Sequence, residues 1–252
     1  MFYHSVIEVF SMSVDRLSRL ELLVGPDALN ILKNTRVAVF GVGGVGGYAV
    51  ESLARCGIGT LDLIDHDKVS VTNLNRQIIA DETTVAQYKV DAAEERIHRI
   101  CASIKVNKYT CFYLPDQKDQ FNFKDYDYIV DAVDTVTAKI AIIEEAKQCG
   151  TPVISAMGCG NRLDPTKVVI TDIYKTQGDP LARVMRYELR KRNIDSLKTV
   201  YSTEKPIIEH YSTDEAPAAN GKIAPGSSIF VPAAAGLAAG YAVVTDLIQS
   251  KK

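Results

Sequence analysis

The sequence predicts an α/β protein built on a doubly wound, mostly parallel sheet, with a smaller C-terminal α+β extension. Three observations predict it. A glycine-rich turn near residue 41 joins an apolar, β-branched run to a helical segment; such runs then alternate with helical segments as far as about residue 160; and beyond that point the pattern changes.

Taken in order, Arg36-Val-Ala-Val-Phe40 is apolar and stopped by glycines, as a buried parallel strand should be. After the glycines, Val50, Leu53 and Ala54 recur at helical spacing until Gly57 ends the helix. Thr60-Leu-Asp-Leu-Ile64 is the next strand, completing a Rossmann-like β-α-β unit. A helix is expected over 84–100, a strand over 105–113, a strand over 128–133, a helix over 137–147 and a strand over 152–156. In the extension, 168–173 and 199–201 read as strands, 180–192 as a helix and 203–227, rich in Pro, Ser, Thr and Gly, as a long loop. We therefore expect one domain over 1–252, with a nucleotide-binding half at 35–160 and a substrate and dimerisation half at 161–252.

Composition sets the outer bounds. With 252 residues, 46% hydrophobic and 24% charged, the chain is neither disordered nor collagen-like. Its formal net charge of −2 excludes a polycation held to nucleic acid by bulk charge, so any such contact needs a local patch. The cysteines at 56, 101, 111, 149 and 159 are odd in number and lack a C-x-x-C pair, which argues against a disulfide framework or a zinc knuckle and points to a reducing cytoplasm. The first ten residues, with His4 and Glu8 and no basic start, do not read as a secretory signal. Ser228 to Ile248 is long enough to span a membrane. Its Ala and Gly content, with Pro232 and Asp246, favours a buried or subunit-packing helix, and no stable membrane association is expected.

The chemistry begins at Gly41-Val-Gly43-Gly44-Val-Gly46. Between a strand and a helix, such a loop lets backbone N–H groups and the helix N-terminus approach a phosphate. Asp65, about twenty residues further on at the end of the second strand, is placed to accept from ribose hydroxyls. That pair suits an NAD enzyme as well as an ATP enzyme. The following segment, Asp65-His-Asp67-Lys-Val-Ser-Val-Thr-Asn73-Leu-Asn75-Arg76-Gln77, separates the two. Arg76 can fork onto phosphate oxygens, Asn75 can bind phosphate or hold the arginine, and Lys89 can add a second cation. Two converging cations suit a triphosphate, whose leaving group gathers charge.

These motifs, with Asp131-Ala-Val-Asp134, Asp164-Pro-Thr166, Asp172-Ile-Tyr-Lys-Thr176 and Val200-Tyr-Ser-Thr-Glu-Lys-Pro206, resemble the ThiF family of the ubiquitin-activating-enzyme superfamily. Within it they are most similar to the branch that dehydrates threonylcarbamoyladenosine in tRNA, over residues 13 to 250. The resemblance implies that Gly41, Gly43, Gly44 and Gly46 cradle ATP, that Asp65 takes the ribose, and that Asn75, Arg76 and Lys89 hold the phosphates. It further implies that Asp131 binds the accompanying Mg2+, with Asp134 nearby or serving as a helix N-cap, and that Arg19 reaches across a homodimer to the partner's ATP. Arg16 is the weaker candidate. The activity implied is ATP activation of the threonyl carboxylate as an acyl-adenylate, followed by ring closure beside the anticodon. No enzyme nucleophile is needed. Cys159, in Met157-Gly-Cys-Gly160, is the one cysteine near a site edge, and core packing accounts for it.

Arg183, Arg186 and Arg190 recur at i, i+3 and i+7 on one helix, a candidate RNA patch or a solvated face. His66 and His210 are candidates for positions near substrate. Three rival readings are an adenylyltransferase for a ubiquitin-like sulfur carrier, an NAD-binding oxidoreductase and a scaffold in a cysteine-desulfurase sulfur relay. The missing C-x-x-C pairs argue against the first, and Arg76 with Lys89 against the second.

Overall fold

A computed structural model of the chain describes residues 15–114, 120–207 and 225–250. His4, His210 and the first ten residues lie outside the described residues. The elements are α1 (Ser18–Val24), α2 (Pro26–Lys33), β1 (Arg36–Phe40), α3 (Gly46–Arg55), β2 (Thr60–Ile64), α4 (Lys89–Ile100), β3 (Lys105–Tyr109), β4 (Tyr128–Asp131), α5 (Val136–Cys149), β5 (Val153–Ala156), β6 (Val168–Asp172), α6 (Pro180–Lys191), β7 (Lys198–Ser202) and α7 (Phe230–Ser250).

The strands form one sheet in the order β3-β2-β1-β4-β5-β7-β6. Every neighbouring pair is parallel except β6 with β7. The predicted doubly wound, mostly parallel sheet is thus observed. The extension joins this sheet, with β7 parallel to β5 and β6 antiparallel at the edge.

Alternate residues of each central strand serve opposite cores, as the period of two requires. Val37, Val39, Leu61, Leu63 and Val130 pack with α2, α3, α4 and α7, while Ala38, Phe40, Ile64 and Ile129 pack with α5, α6 and an aromatic group around Phe123. The strand order reverses between β1 and β4, so a crevice opens above their carboxyl ends.

The helix expected over 84–100 begins only at Lys89. Residues 84–88 are a turn instead: Ala86 has φ +71°, its N–H donates to Val69 O, and Val69 N–H donates to Gln87 O. This pulls Lys89 against Asp67, whose carbonyl accepts from Lys89 N–H at 2.9 Å. The strand expected over 105–113 ends at Tyr109. The helices α1 and α2 were not foreseen from periodicity.

Helix α7 is long and apolar enough to cross a membrane by length and composition, yet over half of that window is buried within the chain. Its Gly236 and Gly240 bring it onto α3. A Cβ on Gly236 would lie 2.3 Å from Val45 O, and one on Gly240 would lie 2.0 Å from Ser52 Oγ. The small residues expected to aid subunit packing here serve helix packing within the chain.

Candidate active site

A cavity of about 430 Å³ fills the crevice above β1, β2 and β4. The glycine loop forms one wall. Gly41 has φ +85°, and a Cβ there would lie 2.7 Å from Ala132 O, so the position admits only glycine without strain. Gly46 starts α3 so close to the loop that a Cβ would meet Gly41 O at 1.8 Å. Gly41, Gly43 and Gly44 line the cavity; Gly46 supports them from behind. Asp65 ties the loop to the end of β2, its carboxylate accepting from Val42 N–H at 2.7 Å and from Asp67 N–H at 2.9 Å.

The two predicted cations line the same cavity. Lys89, 7% exposed, lines the cavity with its ammonium 2.7 Å from Asp67 Oδ2 and 4.0 Å from Asp65 Oδ1. Arg76 also lines it, steadied by donation from Nη1 to Thr72 O at 2.6 Å and to Asn75 Oδ1 at 3.0 Å. Asn75 is not among the lining residues. It holds Arg76 and donates to Ser227 O at 2.9 Å, so of its two expected roles the structure shows the second.

Asp131 requires a correction. It is fully buried, 3.0 Å from Lys139 Nζ and 2.5 Å from Ser155 Oγ, and lines no part of the cavity. The expected metal carboxylate is therefore spent on an internal ion pair. Asp134 is exposed and lines the cavity. Nor is it the helix cap: Thr135 holds the N-cap position of α5. Among the described residues Asp134 has no ion-pair partner, and its Oδ1 accepts from Thr135 Oγ1 at 3.3 Å. A second grouping, Asp65, His66 and Asp67, brings three ligand atoms within 4.8 Å of one another, with the Lys89 ammonium already 2.7 Å from Asp67 Oδ2.

Arg19 is exposed on α1 and is not among the residues that line this cavity. Arg16 donates to Ala54 O, a structural bond. His66 does border the cavity, bonded to Asp67 at 3.2 Å and edge-on to Phe112.

Two lining residues escaped the sequence reading. Gln77, 7% exposed, and Tyr113, 3% exposed, present Oε1 and Oη with no hydrogen-bond partner among the described residues. Unpartnered polar atoms this deeply buried are costly; both side chains belong to the cavity wall, with these two atoms themselves shielded from solvent. Gln77 directly follows Arg76 in the motif, which was the available signal. The residues that close the cavity, Pro225, Ser227 and Pro232, come from the far end of the chain.

Cys111 and Cys159 line the cavity, and burial pushes both thiols up, Cys159 to about 12. Neither is a ready thiolate nucleophile.

Comparison with known proteins agrees with this geometry. The model of the ThiF family matches residues 15–243. A tRNA threonylcarbamoyladenosine dehydratase of Bacillus subtilis is 43% identical over 92% of this chain and 94% of its own length. The E. coli tRNA N6-threonylcarbamoyladenosine dehydratase, solved in complex with ATP, superposes with a TM-score of 0.84 at 32% identity, covering 94% of this chain and 95% of that one. A yeast adenylyltransferase and sulfurtransferase, from Vanderwaltozyma polyspora, is 37% identical but over only 52% of this chain and 30% of its own length.

Proposed function

The chain belongs to the ThiF family, and from that premise we propose that it is an ATP-dependent dehydratase of threonylcarbamoyladenosine in tRNA. One observation carries the reading: a single cavity joins a phosphate-type glycine loop, the ribose-side Asp65, the cations Arg76 and Lys89 and the exposed carboxylate Asp134, with no activated thiol beside them.

The loop N–H groups and the dipole of α3 take the triphosphate, and Arg76 and Lys89 gather the charge that grows on the departing pyrophosphate. Asp134, rather than Asp131, would hold the Mg2+ that accompanies ATP, and an ion there would offset the phosphate charge. The threonyl carboxylate attacks the α-phosphorus, forming an acyl-adenylate and releasing pyrophosphate. A nucleophile within the same modification then attacks the acyl carbon and expels AMP, closing a ring with formal loss of water. The chain's own part is to align the groups and exclude water.

In this reading the protein acts as a homodimer in the cytoplasm. Arg19 would serve a neighbouring copy's site, and two leucines beside it on α1, Leu22 and Leu23, are 77% and 83% exposed. The segment after residue 160 would form the substrate and dimer side.

The test is direct. Incubation with ATP, Mg2+ and threonylcarbamoyl-modified tRNA should remove one water from the modified nucleoside, read by mass after digestion. An unchanged mass, with pyrophosphate exchange triggered by the C-terminal tail of a sulfur carrier, would instead favour the carrier-adenylating reading.

A further inference from the structure

Helix α6 carries four Lys or Arg residues and one Glu in a chain whose net charge is −2. The structure sorts them. Arg186 is spent inside the fold, donating to the carbonyl and hydroxyl of Thr176. Glu188 is paired with Arg192 at 2.7 Å and with Lys191 at 3.5 Å. Outward stand Arg183, Tyr187 and Arg190 at i, i+4 and i+7, with Lys191 beside them, all exposed; the Arg190 guanidinium also lies 5.1 Å from the Tyr174 ring centroid. Tyr187 is 59% exposed, and the Lys191 ammonium lies 4.0 Å from its ring centroid.

The start of this helix is tied to the rim of the active site. Asp179 caps α6 by accepting from Ala182 N–H and also accepts from Arg162 Nη2 at 2.7 Å. Arg162 in turn donates to Gly158 O at 2.6 Å, next to the cavity residues Cys159 and Gly160. On its other side α6 shares with α5 a groove of about 360 Å³, where Val184 faces Val136 and Thr137, the residues just beyond Asp134.

We propose that the outward face of α6 binds single-stranded RNA of the anticodon arm, with Tyr187 as a stacking platform and Arg183, Arg190 and Lys191 on the flanking phosphates. The inference rests on the tRNA reading above. Charge complementarity selects a polyanion, and the exposed ring among the cations selects RNA over an acidic protein, because unpaired bases stack on aromatic rings.

The experiment uses the full chain, an anticodon stem-loop RNA and fluorescence anisotropy at two salt concentrations. Tyr187→Ala should weaken RNA binding by about fivefold or more, while Tyr187→Phe binds as the parent does. Arg183→Gln and Arg190→Gln should each weaken binding and lower the salt slope by about one. ATP affinity should be unchanged in all four. If the parent binds RNA and dehydrates modified tRNA, yet all four variants bind RNA equally well, the α6 surface is wrong while the tRNA reading stands. If the parent neither binds the RNA nor dehydrates modified tRNA, the tRNA reading falls and the inference with it. Displacement of RNA by polyglutamate, equally from the parent and from Tyr187→Ala, would reduce the face to a general cation patch and also overturn the proposal.

Discussion

The Lys89 ammonium lies 2.7 Å from Asp67 Oδ2 inside the cavity, where the lysine is only 7% exposed. The pair has a clear consequence for ATP. An arriving phosphate competes with Asp67 for the same ammonium, so the pair holds Lys89 in place until the nucleotide binds. Lys89→Ala removes the cation and leaves Asp65 and Asp67 facing the phosphates. We expect ATP affinity to fall by tenfold or more, matching about 1.5–3 kcal/mol for a lost charged hydrogen bond. Asp67→Asn should bind ATP at least as well as the parent. Isothermal titration of both variants checks this, and a Lys89→Ala protein with parental affinity would remove Lys89 from the site.

The two carboxylates of Asp131-Ala-Val-Asp134 should separate cleanly. Asp131→Asn strips the fully buried Lys139 of its counter-charge and should cost about 3–5 kcal/mol of stability. Asp134→Asn touches an exposed residue, so the melting temperature should hold while the Mg2+ concentration needed for turnover rises. Thermal melts and Mg2+ titrations of turnover read the two effects. The opposite pattern, with Asp134→Asn unfolding and Asp131→Asn needing more Mg2+, would restore the assignment the motif suggested.

These residues show what was legible beforehand. Gly41, Asp65, Arg76 and Lys89 are bound to one β-α-β unit and its following segment, so local order in the chain placed them correctly around one cavity. Asp131 and Asp134 stand three apart with the same chemistry. Only the fold reveals that Asp131 ends β4 inside the sheet, opposite Ser155 of β5 and a lysine eight residues on, whereas Asp134 has left the strand. Pro225, Ser227 and Pro232 were illegible for a different reason. They close the cavity because α7 packs on α3 through Gly236 and Gly240, a long-range contact that no local pattern encodes. In the same way, the arginine spacing on α6 suggested a stripe of three, and a bond to Thr176 takes Arg186 out of it.

The glycine loop should divide into structural and phosphate-facing positions. Gly41→Ala forces a Cβ into φ +85° and to 2.7 Å from Ala132 O, so stability should drop by about 1–3 kcal/mol along with ATP binding. At Gly43 the nearest atom to a new Cβ is Gln77 Nε2 at 3.8 Å. Gly43→Ala should fold with a loss of less than about 1 kcal/mol and still bind ATP more weakly, because its methyl group stands where phosphate oxygens meet the backbone. Parallel melts and ATP titrations decide it; equal stability loss in both variants would refute the division.

Cys159 borders the cavity, yet its burial predicts inertness. Desolvation pushes its thiol up to about 12, and the nearby Arg162 and Lys139 pull it back too little to restore an ordinary value. A thiolate forms only as pH rises toward that value, so at neutral pH the group stays protonated and cannot carry an acyl chain. Cys159→Ala should therefore keep turnover within about threefold of the parent, since a small apolar side chain fills much of the same space. Alkylation of Cys159 by iodoacetamide, followed by peptide mass, should stay slow between pH 7 and 9. A hundredfold loss of turnover at unchanged melting temperature, or a thiol-cleavable acyl-enzyme trapped on Cys159, would make the cysteine a nucleophile and overturn the direct ring closure proposed here.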